Sequence, residues 1–413
     1  MSLSPLRFLH VADACLDSPL RDIAAGFALT DDAEQRLESA TLAAFEKAID
    51  AALDAHVDFV ILSRNTFVEN DQSLAARIAL LDGLYRLAEE EIRVFVLPGK
   101  HDPADAWKGI DDLPENVTIF FDRESEPVAV FRDGKVVATV AVMPIEKLES
   151  ISHRPSVETK PAGERRGPYT VVLLTTPGAG DASARLHEAK ADYVALSGIE
   201  NRQTIPLGGG YAHHPGGMQG LCRRQTGPHG CSLIEIGPDG KADIQLLPVA
   251  AVVRESIALV DDSIDEERLL NLMHNALAPQ SQGEAEQLRI VEWELRGSGA
   301  IADSLLDAER RARLLEKYRE RFPADDALHT FRILPGELVA SCDDAPAADF
   351  FDSITSSDLV SQRALSEFLD DPDLSAYAEQ LRAILSEMDA DAIRARVQRL
   401  GSHWFRTSPT ETL

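Results

Sequence analysis

With 413 residues, 44% of them apolar and 27% charged, the chain is too long for one typical core and has the composition of a soluble globular protein of two or three domains. No run reaches the ~18–20 apolar residues of a membrane span, and Met1 to Phe8 lacks a secretory pattern, so a cytoplasmic protein is expected. The formal charge of −28 opposes direct binding to a polyanion, so DNA would need a local basic groove or a basic partner.

Leu6 to Ala12 reads as a first strand ending at Asp13. Glu34–Ala55 and Gln72–Glu90 carry helical apolar spacing, and Asp58–Leu62 and Ile92–Leu97 read as further buried strands. This alternation calls for a mostly parallel sheet with crossover helices. From Val117 to Met143 the pattern changes to short strands, with a hairpin turn at Asp133-Gly134. Glu146–Pro168 is polar and loop-like. Strands resume at Tyr169–Leu174 and Asp192–Leu196, with a short helix near Ala182–Ala189 between them. Cys231–Ile236 and Ala242–Leu247 close the region. The expected domains are a two-sheet α/β sandwich over 1–250, a small α+β capping domain over 251–342, and an acidic helical tail over 343–413. Asp343 to Asp391 holds thirteen acidic residues against two basic ones, which suits a solvated cap or a partner-docking element. The cysteines Cys15, Cys222, Cys231 and Cys342 form no C-x-x-C pair, so reduced thiols are expected.

Polar residues collect where the strands end, which is where open α/β sheets place their sites. Taken together, Phe8-Leu-His-Val-Ala-Asp-Ala-Cys-Leu-Asp-Ser-Pro19, Asp58-Phe-Val-Ile-Leu-Ser-Arg64, Pro98-Gly-Lys-His-Asp-Pro103, Asp192-Tyr-Val-Ala-Leu-Ser-Gly-Ile-Glu-Asn-Arg202, and His214-Pro-Gly-Gly-Met-Gln-Gly220 leading to Thr226-Gly-Pro-His-Gly-Cys231 resemble the calcineurin-like metallophosphoesterases. More narrowly, they resemble the SbcD-type DNA repair exonucleases and the YhaO group. The resemblance runs over roughly residues 6 to 250 and, more loosely, into the capping domain and tail. It implies a hydrolase scaffold in which two divalent metals, usually manganese, activate water for attack on phosphodiesters.

The positions implied for those metals are largely replaced. Asp13 is retained, but Cys15 stands for its histidine partner, Arg64 falls at the bridging aspartate and Lys100 at the asparagine. Thr175 (or Thr176) stands for a lone histidine, and Gly198 and Glu200 for the last two. His101 and Asp102 keep the pair implied to assist catalysis. A guanidinium beside a divalent ion is strongly disfavoured, so no metal and no cofactor are expected. Asp13, Asp102 and Glu200 are the carboxylates available to pair with Arg64 and Lys100. The resemblance then implies a pseudoenzyme acting as a structural or regulatory subunit in DNA repair with an SbcC-like coiled-coil ATPase, and it admits a homodimer. Two rival readings stay open. One is an active phosphodiesterase or nuclease with a rebuilt site, in which Cys15 with His101, Asp13 and Glu200 holds a soft metal or supplies a nucleophile. The other is a metal-free sensor that holds a phosphate at Arg64, Lys100 and His101. His10 reads as a satisfied core histidine, and the adjacent His213 and His214 as loop residues rather than ligands.

Overall fold

The computed structural model describes residues 5–18, 20, 30–68, 73–122, 124–145, 147, 167–175, 186, 189, 191–197, 201–222, 224–260, 265–277, 287–297, 304–305, 307–323 and 328–335. The expected loop at 146–168, most of the helix near 182–189 and the whole acidic tail lie outside them. The chain divides into two compact units. One is 1–257 with 275–292 and 319–330; the other is 258–274, 293–318 and Phe331 onward.

Two six-stranded sheets make up the first unit. Its elements begin with β1 (Leu6–Ala12), α1 (Asp31–Glu38), α2 (Ala40–Asp54), β2 (Phe59–Ser63), α3 (Leu74–Glu89), β3 (Arg93–Leu97), α4 (Ala104–Lys108) and β4 (Val117–Ile119). There follow β5 (Val128–Arg132), β6 (Lys135–Val142), β7 (Tyr169–Thr175), β8 (Tyr193–Ser197), β9 (Gln203–Pro206), β10 (Tyr211–His214), β11 (Cys231–Ile236) and β12 (Ala242–Leu247). One sheet runs β12-β11-β1-β2-β3-β4 and the other β5-β6-β7-β8-β10-β9. The runs β1-β2-β3-β4 and β6-β7-β8-β10 are parallel. Their carboxyl ends therefore gather on one edge of each sheet. The expected α/β two-sheet architecture, with helices flanking, is the one observed.

Strand parity explains the packing. Leu6 and Phe8, Phe59 and Ile61, and Phe95 and Leu97 point between the sheets, against Tyr169, Val171, Leu173 and Tyr193. The alternate residues Leu9, Val11, Val60, Leu62, Val94 and Val96 pack outward on α2 and α3. Burial on both faces is what a central parallel strand requires, and it accounts for the continuous apolar runs. The helices α2 and α3 approach closely at Gly83, where an added Cβ would lie 2.8 Å from Phe45 Cε1.

Three expectations on the elements change. The helix over Glu34–Ala55 is broken at Ser39, whose hydroxyl donates to the Gln35 carbonyl at 2.9 Å. That local bond competes with a continuous helix. The segment at Val117 leaves the hairpin group and extends the first sheet beside β3. The hairpin turn itself is as expected, with Asp133 at φ 52° and Gly134 at φ 71°, the geometry of a type I′ turn. Lastly, β9 and β10 occupy a stretch whose Pro and Gly content reads as loop.

A further sheet, β13-β14-β15, follows, from β13 (Val252–Val260), β14 (Leu288–Gly297) and β15 (Leu328–Pro335). Its accompanying helices are α5 (Glu266–Leu277) and α6 (Ala308–Arg321). No helix among the described residues is long and apolar enough to cross a membrane.

Candidate functional site

The site is assembled from the carboxyl ends of β1, β2, β3 and β10. Beyond the strands the backbone stays tied together. Asp13 N donates to Ser63 O at 3.2 Å, Arg64 N to Leu97 O at 2.7 Å, and Cys15 N to Asn65 O at 2.8 Å. Four residues here adopt left-handed backbone without being glycine: Asp13 (φ 47°), Cys15 (φ 46°), Arg64 (φ 58°) and Asn65 (φ 44°). Such conformations cost of order 1–3 kcal/mol each and concentrate at functional sites.

Asp13 and Asp102 come together here, but the group that links them is Asn65. Its Nδ2 donates to Asp13 Oδ1 at 2.6 Å, and its Oδ1 accepts from the His101 backbone N–H at 3.1 Å. Gly99 lies directly against it, and an added Cβ there would sit 2.6 Å from Asn65 N and Oδ1. Asp102 is fully buried. One of its oxygens accepts from the backbone N–H of Asn65 at 2.8 Å and of Gly99 at 2.6 Å, the other from Thr66 N at 2.9 Å and Trp107 Nε1 at 3.1 Å. Four donors compensate a buried carboxylate without a cation.

The expected salt-bridge cluster is therefore corrected. Among the described residues no ion pair joins Arg64 to Asp13 or Asp102. Asp102 has its oxygens taken by N–H groups, and Asp13 is held by an amide. Arg64 still favours the ionised form of Asp13 electrostatically, as does the Asn65 hydrogen bond, but burial is the larger effect and raises the Asp13 pKa above its ordinary value. Burial also raises Asp102, against the pull of its hydrogen bonds. The assignment of Arg64 to the bridging position also shifts. The residue that reaches Asp13 is the next one, and Arg64 itself takes a left-handed conformation that glycine adopts freely.

Burial, then the charges of Asp13 and Asp102, push the Cys15 thiol up to about 12. Such a thiol is protonated near neutrality, which makes it a poor nucleophile. Lys100 and His101 are exposed on the loop after β3, and Arg64 is half-buried. Thr175 ends β7 and pairs with Ser197 of β8. Thr176, Gly198 and Glu200 lie outside the described residues.

Sequence reasoning missed His214. It ends β10, is fully buried, and accepts from Gly216 N at Nδ1, 3.0 Å. This fixes the proton of the neutral ring on Nε2, which stands 3.8 Å from Asp13 Oδ2. Burial, then Arg64, lowers its pKa to about 4. The neighbouring His213 faces elsewhere, into a polar layer between the sheets. Its Nε2 meets Ser232 Oγ at 2.9 Å and its Nδ1 meets Thr204 Oγ1 at 2.8 Å. In the same layer His10 is satisfied, as expected, by Tyr193 OH at 2.9 Å and Ser63 Oγ at 2.8 Å. Arg202 donates to Ser232 Oγ. Two adjacent histidines facing two different environments is the signature of strand parity. The signal was available only once β10 was recognised as a strand.

The donors among the described residues do not fit two divalent cations. Among the described residues no group of three or more His, Cys, Asp or Glu could hold a metal ion. Asn65 turns its donor towards Asp13 and spends its oxygen on His101 N, and His214, whose Nδ1 accepts from Gly216 N, presents a protonated Nε2.

No protein-family model matches the chain. It is 28% identical over 341 residues to the uncharacterized metallophosphoesterase YhaO of Bacillus subtilis, covering 78% of this chain and 80% of that protein. This relative supports a metallophosphoesterase kinship. Similar solved structures include an archaeal phosphodiesterase, 12% identical, covering 59% of this chain and all of the other (100%) at a TM-score of 0.31. A dimetal phosphatase from Danio rerio is 11% identical, covering 56% and 95% at a TM-score of 0.31.

Proposed function

We propose that this chain is a metallophosphoesterase-like protein that has given up two-metal hydrolysis and serves as a structural or regulatory subunit. The observation that carries this reading is the amide of Asn65 between Asp13 and the loop after β3. Where the resemblance implies oxygen ligands converging on cations, this chain supplies a self-satisfied hydrogen-bond chain, Asp13–Asn65–His101 N. Such a network holds the sheet edge in place and leaves Asp13 with a donor already in contact. A DNA repair role beside a coiled-coil ATPase of the SbcC type is the context we propose, and the acidic stretch 343–391 is the docking element.

The test combines elemental analysis with activity. Protein purified with manganese and zinc offered is expected to carry no stoichiometric metal and to hydrolyse bis(p-nitrophenyl) phosphate no faster than an Asp13→Ala variant. Two metal equivalents per chain, with activity that Asp13→Ala abolishes, would restore the active-phosphodiesterase reading.

A second reading is favoured by the charges at the same edge. Arg64 lies in the left-handed turn after β2, Lys100 and His101 are exposed on the loop after β3, and guanidinium and ammonium groups suit a phosphate held without hydrolysis. Calorimetric titration with inorganic phosphate, repeated on Arg64→Ala, separates this reading from a purely structural one.

A further inference from the structure

Away from the strand ends, α3 carries an apolar seam that the packing of this unit leaves uncovered. Leu74 is 72% exposed, Ile78 59% and Tyr85 47%, and the half-buried Leu81 completes the row. The spacing 74, 78, 81, 85 alternates four and three, the repeat with which one helix presents a continuous edge to another. Singly exposed apolar residues need no explanation, but a contiguous row does. Beside the row lies a cavity of about 410 Å³, walled by Phe67, Leu74, Leu80 and Ile110, with Arg77 and Asp105 also in its lining. Leu74 belongs to both features, so seam and cavity form one surface.

The charge around this surface has a sign. Asp82 on α3 and Asp105 on α4 are exposed, as are Asp111 and Asp112. The Tyr85 hydroxyl donates to the Asp112 carbonyl at 3.1 Å, which brings that acidic turn against the seam. Asp17 also lines the cavity. The nearby cations are Arg77, Arg86 and Lys108; Lys108 pairs with Asp105 at 2.9 Å, and Arg86 pairs with Asp50 while also interacting with Asp82. Acid is in excess around an apolar strip of helical spacing.

We propose that this face docks a basic amphipathic helix of a partner protein. Its apolar residues would lie along Leu74, Ile78, Leu81 and Tyr85 and place one large side chain in the cavity, and its Lys and Arg would face the aspartates. A second copy of the chain would bring the same aspartates against themselves, and the chain's own stretch 343–391, with thirteen acidic residues against two basic ones, has the wrong sign.

The test uses the full chain and a designed helical peptide with leucine at positions i, i+3, i+4 and i+7 and lysine on the remaining face, followed by fluorescence anisotropy. Binding is expected that weakens with added salt, falls at least tenfold in Ile78→Glu, and is absent for the same peptide carrying glutamate in place of lysine. Ile78 is solvent-facing, so the variant should keep the wild-type melting temperature, which is measured alongside. Equal binding by wild type and Ile78→Glu, or no binding by wild type, overturns the proposal. Light scattering that gives a dimer of the wild type and a monomer of Ile78→Glu also overturns it, because the face is then covered by a second copy.

Discussion

Asn65 is the residue on which the strand-end site turns. Its amide can both donate and accept, and it does both, to Asp13 at 2.6 Å and from His101 N at 3.1 Å. Aspartate at 65 would keep the acceptor, lose the donor, and set two carboxylates in contact. Asn65→Asp is therefore expected to lower stability by about 2–4 kcal/mol. Millimolar manganese should restore much of the lost melting temperature in the variant while leaving wild type unmoved. Thermal melts with and without the metal read this directly, and a variant indifferent to manganese would show that Arg64 and Lys100 repel a cation even there. His214 is the second residue-scale lever. Its pKa is about 4 in the folded chain and that of His213 about 3, against ~6.5 for a free imidazole. The unfolded chain takes up protons below pH ~6.5 while the folded one does not, so these histidines cost stability as pH falls from ~6.5 towards 4. Asp13 and Asp102, raised in the fold, act with the opposite sign nearer the ordinary carboxylate range. Urea midpoints are expected to fall across pH 6.5 to 4. His214→Asn, which keeps an acceptor for Gly216 N, should remove up to about 3 kcal/mol of that dependence.

Among the elements, the α2–α3 contact carries the tightest constraint. Alanine at Gly83 would gain about 1 kcal/mol in helix propensity, but its Cβ would fall 2.8 Å from Phe45 Cε1 and 3.0 Å from Ile49 Cγ1. Both side chains are fully packed beneath the first sheet, so neither has room to yield. Overpacking of this kind costs about 1–3 kcal/mol. Gly83→Ala should therefore lose up to about 2 kcal/mol net by urea denaturation, where an isolated helix would gain. The same elements show how far sequence periodicity reaches. The helix of α3, the strands β1 to β3 and the Asp133-Gly134 hairpin are local patterns of apolar spacing and turn chemistry, and they stand where the spacing put them. The break at Ser39 depends on one hydroxyl choosing the Gln35 carbonyl. The strand β10 depends on pairing with β8 and β9. The first is still local but turns on a single side-chain bond that apolar spacing does not show; the second is not a property of its own stretch.

At the scale of the whole molecule, a charge of −28 acts against contact with DNA by the chain alone. Gel-shift titration at physiological salt should give no complex with duplex DNA tighter than the ~10⁻⁴–10⁻⁶ M of ordinary nonspecific binding. A tighter complex would require a basic groove. One parity of β1 to β3 packs on the second sheet and the other on the helices, so one register decides both the core and which polar residues meet between the layers. His10, Tyr193, His213 and Ser232 meet there because β1, β8, β10 and β11 are brought together from distant parts of the chain.

By itself the sequence determined the alternation of helices and strands, the α/β class and the identity of the strand ends, because these follow from periodicities of two and 3.6 residues and from local turn chemistry. Only the tertiary structure decided that Asn65 rather than Arg64 meets Asp13, that Asp102 is satisfied by four N–H groups, and that His214 closes the same site. The physical reason is the left-handed backbone at Arg64 and Asn65. It ends the strand's alternation at that point, so which side chain faces the site is set by contacts with residues 36 to 52 positions away rather than by neighbours along the chain.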